Sequence, residues 1–213
     1  MIDFLKWTGA LLTSYLVGSI PTGYLLGKIL KGVDIRQHGS GNMGATNVMR
    51  VLGKKLGILT LLIDIGKGLI SVLIIAPFWG SGLIHQSLLQ LSSGIASIFG
   101  HNWTCFLKFK GGKGVATSLG VFLGLAPQAT LCLLVIWGVV LFLTRTVSIA
   151  SIIASMALPL LLFLFGKPIE WVIGGLFLSW ISIWKHQGNI RRLMAGTEPK
   201  IGKSRIEISK IKN

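Results

Sequence analysis

Seven apolar stretches, separated by shorter polar ones, cover most of the chain at about residues 7–26, 56–79, 83–99, 115–126, 128–143, 149–165 and 171–184. A helix needs roughly 20 mostly apolar residues to cross a hydrocarbon core about 30 Å thick. The fourth stretch is short, at about 12 residues or about 18 Å of helix. It therefore reads either as a span or as a re-entrant half-helix. The first stretch follows a single early cation, Lys6, with Asp3 before it, and stays apolar to about Leu30. That is too long for the core of a cleaved signal peptide, and a retained first span is expected.

Charge decides the fourth stretch. With seven spans and an external N-terminus, every one of the 21 cations except Lys6, Lys67 and Lys167 falls on one face. Turning the fourth stretch back would carry the basic C-terminal end outside, against the bias of Lys and Arg towards cytoplasmic loops. The expected fold is thus all-α and polytopic, with seven transmembrane helices, the N-terminus outside and the C-terminus cytoplasmic. One membrane domain would occupy residues 1–196, followed by a basic cytoplasmic tail over 197–213 that is flexible or touches lipid.

Composition agrees. Of 213 residues 52% are hydrophobic and 13% charged, with a mean hydropathy of +0.74 in 23.0 kDa. So much apolar sequence cannot hide in a soluble core of that size. The formal net charge of +15 lies between apolar runs, which points to anionic head groups and anionic substrates instead of nucleic acid. Cys105 and Cys132 lack metal-ligand spacing and read as buried small hydrophobes. No nucleotide or metal site stands out, and no cofactor is expected.

Three polar patches lie on the cation-rich face. The first runs Asp34-Ile35-Arg36-Gln37-His38-Gly39-Ser40-Gly41-Asn42-Met43-Gly44-Ala45-Thr46-Asn47-Val48-Met49-Arg50. Small residues leading into a helix N-terminus, with an arginine at the end, favour phosphate. Gly39, Gly41 and Gly44 spell a dinucleotide-binding motif, but no strand precedes them and Asp64 lies in an apolar stretch, so that reading is rejected. The second patch joins Gly100-His101-Asn102-Trp103 to Lys108-Phe109-Lys110-Gly111-Gly112-Lys113-Gly114-Val115-Ala116-Thr117. It is a basic glycine turn opening a helix, and Gly114 after Lys113 excludes a Walker A loop. The third is Lys185-His186-Gln187-Gly188-Asn189-Ile190-Arg191-Arg192, in which His186 and Asn189 share a helical face. Asp64 and Lys67 form an i, i+3 pair inside the second stretch, read either as a structural ion pair or with Lys67 reaching towards the anion site.

Together these residues resemble the bacterial acyl-phosphate:glycerol-3-phosphate acyltransferases, the PlsY family. The likeness begins at Gly18-Ser19-Ile20-Pro21, runs through Ser40–Arg50, Asp64–Gly68, Gly100–Asn102 and Phe109–Thr117, and ends with His186, Asn189, Arg192 and Gly196-Thr197-Glu198. It implies a seven-span fold in the bacterial inner membrane, with the active site on the cytoplasmic face. Its activity would be acyl transfer from acyl phosphate to glycerol 3-phosphate, giving lysophosphatidic acid and phosphate. The resemblance implies Ser40, Arg50, Lys113, His186 and Asn189 as catalytic residues. Gly41, Asn42, Gly44, Thr46, Asn47, Lys67, His101, Asn102, Gly111, Gly112 and Thr117 are the candidate substrate and phosphate contacts. The second motif resembles the family's glycerol-3-phosphate site. One departure is Gly188, where the family usually carries glutamate. Neither His38, His85, His101 nor His186 has an aspartate five positions later, so the H-x4-D base of soluble glycerolipid acyltransferases is absent. The competing class is a transporter of a phosphorylated small molecule, for which Pro21, Asp64 and Lys67 would be the mid-membrane elements. Against it stand the one-sided polar patches and the lack of symmetrical halves. A lipid-binding scaffold would need the basic tail but not three polar motifs.

Overall fold

The structure is a computed structural model that describes residues 1–82 and 85–202. The start of the third apolar stretch and most of the basic tail, 203–213, lie outside the described residues. Among the described residues there are helices and turns and no strand. In chain order the helices are α1 Ile2–Ser19, α2 Thr22–Lys31, α3 Ala45–Leu52, α4 Lys54–Ile70, α5 Ala76–Gly80, α6 Gln86–Asn102, α7 Val115–Leu125, α8 Pro127–Thr144, α9 Val147–Leu164, α10 Ile169–Lys185 and α11 Gln187–Met194. Among the described residues three helical rods are long and apolar enough to cross a membrane: Lys54–Gly80, Pro127–Thr144 and Val147–Leu164. The first of these joins α4 to α5 through a π-helical turn at Ser71–Ile75. Pro77 follows that turn; it lacks an N–H and crowds the carbonyl one turn back, and the widened turn makes room for it.

The first apolar stretch is not one helix to Leu26. Pro21 disfavours helical geometry at Ile20, so α1 stops at Ser19, Ile20 is extended (φ −54°, ψ 114°) and α2 restarts at Thr22. The carbonyl of Ile20 freed by the break accepts a hydrogen bond from Lys67. Beyond it α2 is two-faced, with Thr22, Gly23 and Gly27 buried and Ile29 and Leu30 exposed. It packs with α3 and the turn at Ile35–Gln37 around Val48, Val51 and Ile35, a small core separate from that of the long helices.

The long helices pair as α1 with α6, α4 with α7, α8 with α9 and α9 with α10. Two crossings are very close. A Cβ on Gly18 would come within 2.0 Å of the Ser97 carbonyl, and one on Gly120 within 2.0 Å of that of Ile65. Small residues let membrane helices approach so closely. Small polar side chains such as Ser14, Ser71, Ser93 and Ser97 are fully buried, whereas Phe78 (76%), Phe142 (74%) and Phe163 (65%) are turned outward. This inside-out distribution is that of a chain solvated by lipid.

The short fourth stretch forms an 11-residue helix, α7, turning at Ala126 into the 18-residue α8. α7 is thus shorter than α8 by about 10 Å at a helical rise. The expected tail also begins as ordered structure: Thr197 N–H donates to Arg192 O at 2.8 Å and Ile201 N–H to Arg145 O at 2.8 Å. The second of these bonds holds the start of the tail against the α8–α9 turn.

Candidate active site

Asn47 builds the first loop. Its amide oxygen accepts from Ser40 N–H (2.9 Å), and its Nδ2 donates to the carbonyls of Asn42 (2.8 Å), His38 (3.0 Å) and Ile35 (3.2 Å). Asn42 Oδ1 accepts from Gly44 N–H at 2.7 Å. The loop coils over a buried amide and delivers Gly44 as the N-cap of α3. Thr46 and Arg50 follow one turn apart on the cavity side of that helix. Burial pulls the Arg50 guanidinium below its ordinary value, opposed by Glu198 and reinforced by Arg192.

The second loop wraps the end of α6. Gly112 N–H donates to His101 O at 2.9 Å. A Cβ on Gly111 would meet that carbonyl at 2.1 Å, and one on Gly112 would meet His101 Nε2 at 2.1 Å. These glycines are thus required by close packing on His101, and Gly112 has no N–H left for a phosphate. Gly114, at φ 79°, caps α7. Lys113 between them donates to Asn189 Oδ1. Burial brings its ammonium down to about 8; Glu198 opposes that shift, and Arg192, Arg50 and Lys185 reinforce it.

The third patch is the joint between α10 and α11. His186 is 2% exposed, and its Nδ1 lies 2.7 Å from the carbonyl of Ser182. A carbonyl only accepts, so Nδ1 carries the proton and Nε2 carries the lone pair. Burial, then Lys113, lowers its pKa to about 4, so the ring is neutral at pH 7. Asn189 is held from both sides, accepting from Lys113 and donating through Nδ2 to Glu198 Oε1 at 2.6 Å. Glu198 also accepts from Ser148 Oγ (2.8 Å) and Arg192 Nε (2.7 Å). Those three hydrogen bonds hold its carboxyl below the usual range against burial, which raises it.

The patches meet in one cavity of about 340 Å³. Ser40, Asn42, Gly44, Thr46, Asn47, Arg50, His101, Lys113, His186 and Asn189 all line it. Its polar end lies among these residues, with Arg192 and Glu198. Its other end runs between α7, α8, α9 and α10 past Trp137, Leu134, Ala154 and Ser155 to Phe122, Leu158 and Leu178. Gly41 and Gly111 line instead a separate polar cleft with Asp34, Arg36 and Lys110. Asn102 and Thr117 are fully buried nearby and do not line the main cavity. Lys67 does not line it either, being spent on Asp64 Oδ1 at 2.6 Å and on Ile20 O.

A family model described as Glycerol-3-phosphate acyltransferase matches residues 8–196. The chain belongs to that family. A curated relative of that name from Desulforudis audaxviator is 48% identical over 88% of this chain and 91% of its own length. Another, from Gloeobacter violaceus, is 46% identical over 89% and 92%. Two crystal structures of PlsY, an integral membrane glycerol 3-phosphate acyltransferase, superpose with TM-scores of 0.84 (glycerol 3-phosphate form) and 0.82 (lysophosphatidic acid form). Both are 39% identical, over 92% of this chain and 96% and 95% of theirs.

As a member of the acyltransferase family, the chain shows two features that reading its residues passed over. Glu198 belongs to the resemblance but not to the candidate site residues, and it ties Ser148, Asn189 and Arg192 together. It carries one of only six carboxylates in the sequence and lies six residues from Arg192, which was the available signal. The other is the apolar half of the cavity, whose residues look in sequence like any packed helix face. At Gly188 a Cβ would come within 3.6 Å of Arg192 Nη1. A side chain there would reach the guanidinium that Glu198 holds here.

Proposed function

We propose that this protein transfers a fatty acyl group from acyl phosphate to glycerol 3-phosphate at the cytoplasmic face of the bacterial inner membrane, as a seven-span enzyme with an external N-terminus. The observation that carries the reading is the two-ended cavity, with cations and a neutral imidazole at one end and an apolar slot at the other. An acyl phosphate has the same two ends, a dianionic head and a chain whose burial is favourable by about 0.8 kcal/mol per CH₂.

In this reading Arg50, Lys113 and the free N–H groups of Ala45 and Thr46 hold the two phosphates, and the acyl chain lies in the slot. The glycerol hydroxyl attacks the acyl carbon, the C–O bond to phosphate breaks, and an ester C–O bond forms. The hydroxyl proton passes finally to the departing phosphate. The departing group is inorganic phosphate, which keeps the electron pair of the broken C–O bond on its oxygen and is a stronger base than His186, whose ring takes up a proton only at about 4. The phosphate is therefore the better resting place for the proton, and Nε2 of His186 serves to orient the hydroxyl. Positioning and charge neutralisation are enough for so activated an acyl donor. Ser40 as a covalent acyl carrier is disfavoured, because its hydroxyl has no hydrogen-bonded base among the described residues.

The test is purified protein in lipid, supplied with acyl phosphate and glycerol 3-phosphate and assayed for lysophosphatidic acid. Absence of product, with labelled glycerol 3-phosphate moving across proteoliposomes, would overturn the reading in favour of a transporter.

A further inference from the structure

We infer that the apolar half of the cavity is a ruler for acyl-chain length, with its wall at Ala154, Ser155 and Ser179 and its floor at Phe122, Leu158 and Leu178. The inference rests on the acyl-transfer reading above and deepens it.

Along α9 the cavity lining runs from Ser148 at the polar end to Leu158 at the far end, about 15 Å at a helical rise. One wall of this slot is made of small side chains, and its hydroxyls are satisfied inside the protein. Ser155 Oγ is bonded to Ser151 O (2.7 Å) and Ser182 Oγ (2.8 Å), and Ser179 Oγ to Gly175 O (2.8 Å). What these serines leave facing the slot is methylene surface at small volume. They give room to a chain without offering it unpaired polar groups.

The floor differs in kind from the wall. Phe122, Leu158 and Leu178 are at most 6% exposed and belong to one close-packed cluster with Val121, Leu162 and Trp171. Such interiors yield little to an intruding group. Thr130 beside them turns its hydroxyl back to Ala126 O at 2.9 Å, so the floor too is apolar. The side formed by α8 is compliant by comparison, since only Ala129 and Thr130 of that helix are buried. A slot with one movable side and a fixed end discriminates poorly by width and sharply by length.

The experiment uses full-length protein in lipid and compares kcat/KM for octanoyl, lauroyl, palmitoyl and stearoyl phosphate. Ala154→Phe fills the slot midway, and the palmitoyl-to-octanoyl ratio is expected to fall about tenfold or more, the burial of two or more methylenes. Leu178→Ala opens the floor, and the palmitoyl-to-lauroyl ratio is expected to rise. Because each readout is a ratio within one protein, a general loss of activity cancels. Should Ala154→Phe prevent folding, Leu178→Ala still decides the matter. Ratios equal to those of the unaltered protein in the folded variants would overturn the ruler. Absence of lysophosphatidic acid from every donor with the unaltered protein would instead overturn the acyl-transfer reading beneath it.

Discussion

Gly66-Lys67-Gly68 and Gly112-Lys113-Gly114 are the same tripeptide in two places, and the fold puts the two lysines to opposite uses. Lys67 is 3% exposed and meets a carboxylate, Asp64, which also accepts from Thr22 Oγ1 at 3.0 Å. Its charge is cancelled within the bundle, and it donates as well to the Ile20 carbonyl at the break before Pro21. Lys113 meets only a neutral amide, Asn189, with Arg50, Arg192 and Lys185 as further cations around it. Glu198 offsets them only in part. A buried cation with a carboxylate partner is a structural part, whereas one held among cations is an incomplete pair awaiting an anion.

Several substitutions sharpen or break this contrast. The largest effect is expected from Lys67→Met, which strands Asp64 as an unpaired buried charge and costs about 3–5 kcal/mol of stability. Thermal unfolding in detergent would measure it, and Lys67→Met with Asp64→Leu should recover most of the loss. Lys113→Met should instead leave the melting temperature near its starting value and lower kcat/KM by about 10²–10³-fold, the usual cost of one preorganised electrostatic contact. If the two lysines gave the same pattern in both assays, the contrast would fail.

Asn47→Ala removes the amide that holds the first loop, and a loss of about 1–3 kcal/mol is expected, with a raised KM for phosphate substrates as Thr46 and Arg50 lose their placement. The pH profile is a finer probe. Lys113 must be charged and His186 neutral, so kcat/KM is expected to fall as pH rises through about 8 and as it falls through about 4. Bound phosphate favours the ammonium, so the alkaline limb should lie higher in kcat, which reports the complex. Lys113→Arg should remove that limb altogether. His186 carries a further consequence for stability. Its pKa is about 4 folded against an ordinary 6.5, so the unfolded chain binds more protons between these values. Its contribution is complete above 6.5 and is lost as pH falls through that window. The smallest effect is expected for Glu198→Gln. It keeps an acceptor for Asn189 but not the charge facing Arg192, and should cost about tenfold in kcat/KM.

Much of this was legible in the chain itself. Apolar stretches, one-sided cations and three polar motifs lie within short windows, where a residue's neighbours in sequence are also its neighbours in space. They sufficed for an all-helical membrane protein and for most of the residues at the polar end of the cavity. Sequence alone exposes the Asp64–Lys67 pair but not its use, because the Ile20 carbonyl that also engages Lys67 and the Asn189 amide that meets Lys113 come from distant segments. Nor could it show that Gly111 and Gly112 are small because His101 lies against them, or that Glu198 folds back across the mouth of the site. The apolar slot is the extreme case. Ala154, Ser155, Leu158 and Leu178 satisfy the same helical pattern whether neighbouring helices touch or stand apart, and only the packing of α7 to α10 decides that a space remains between them.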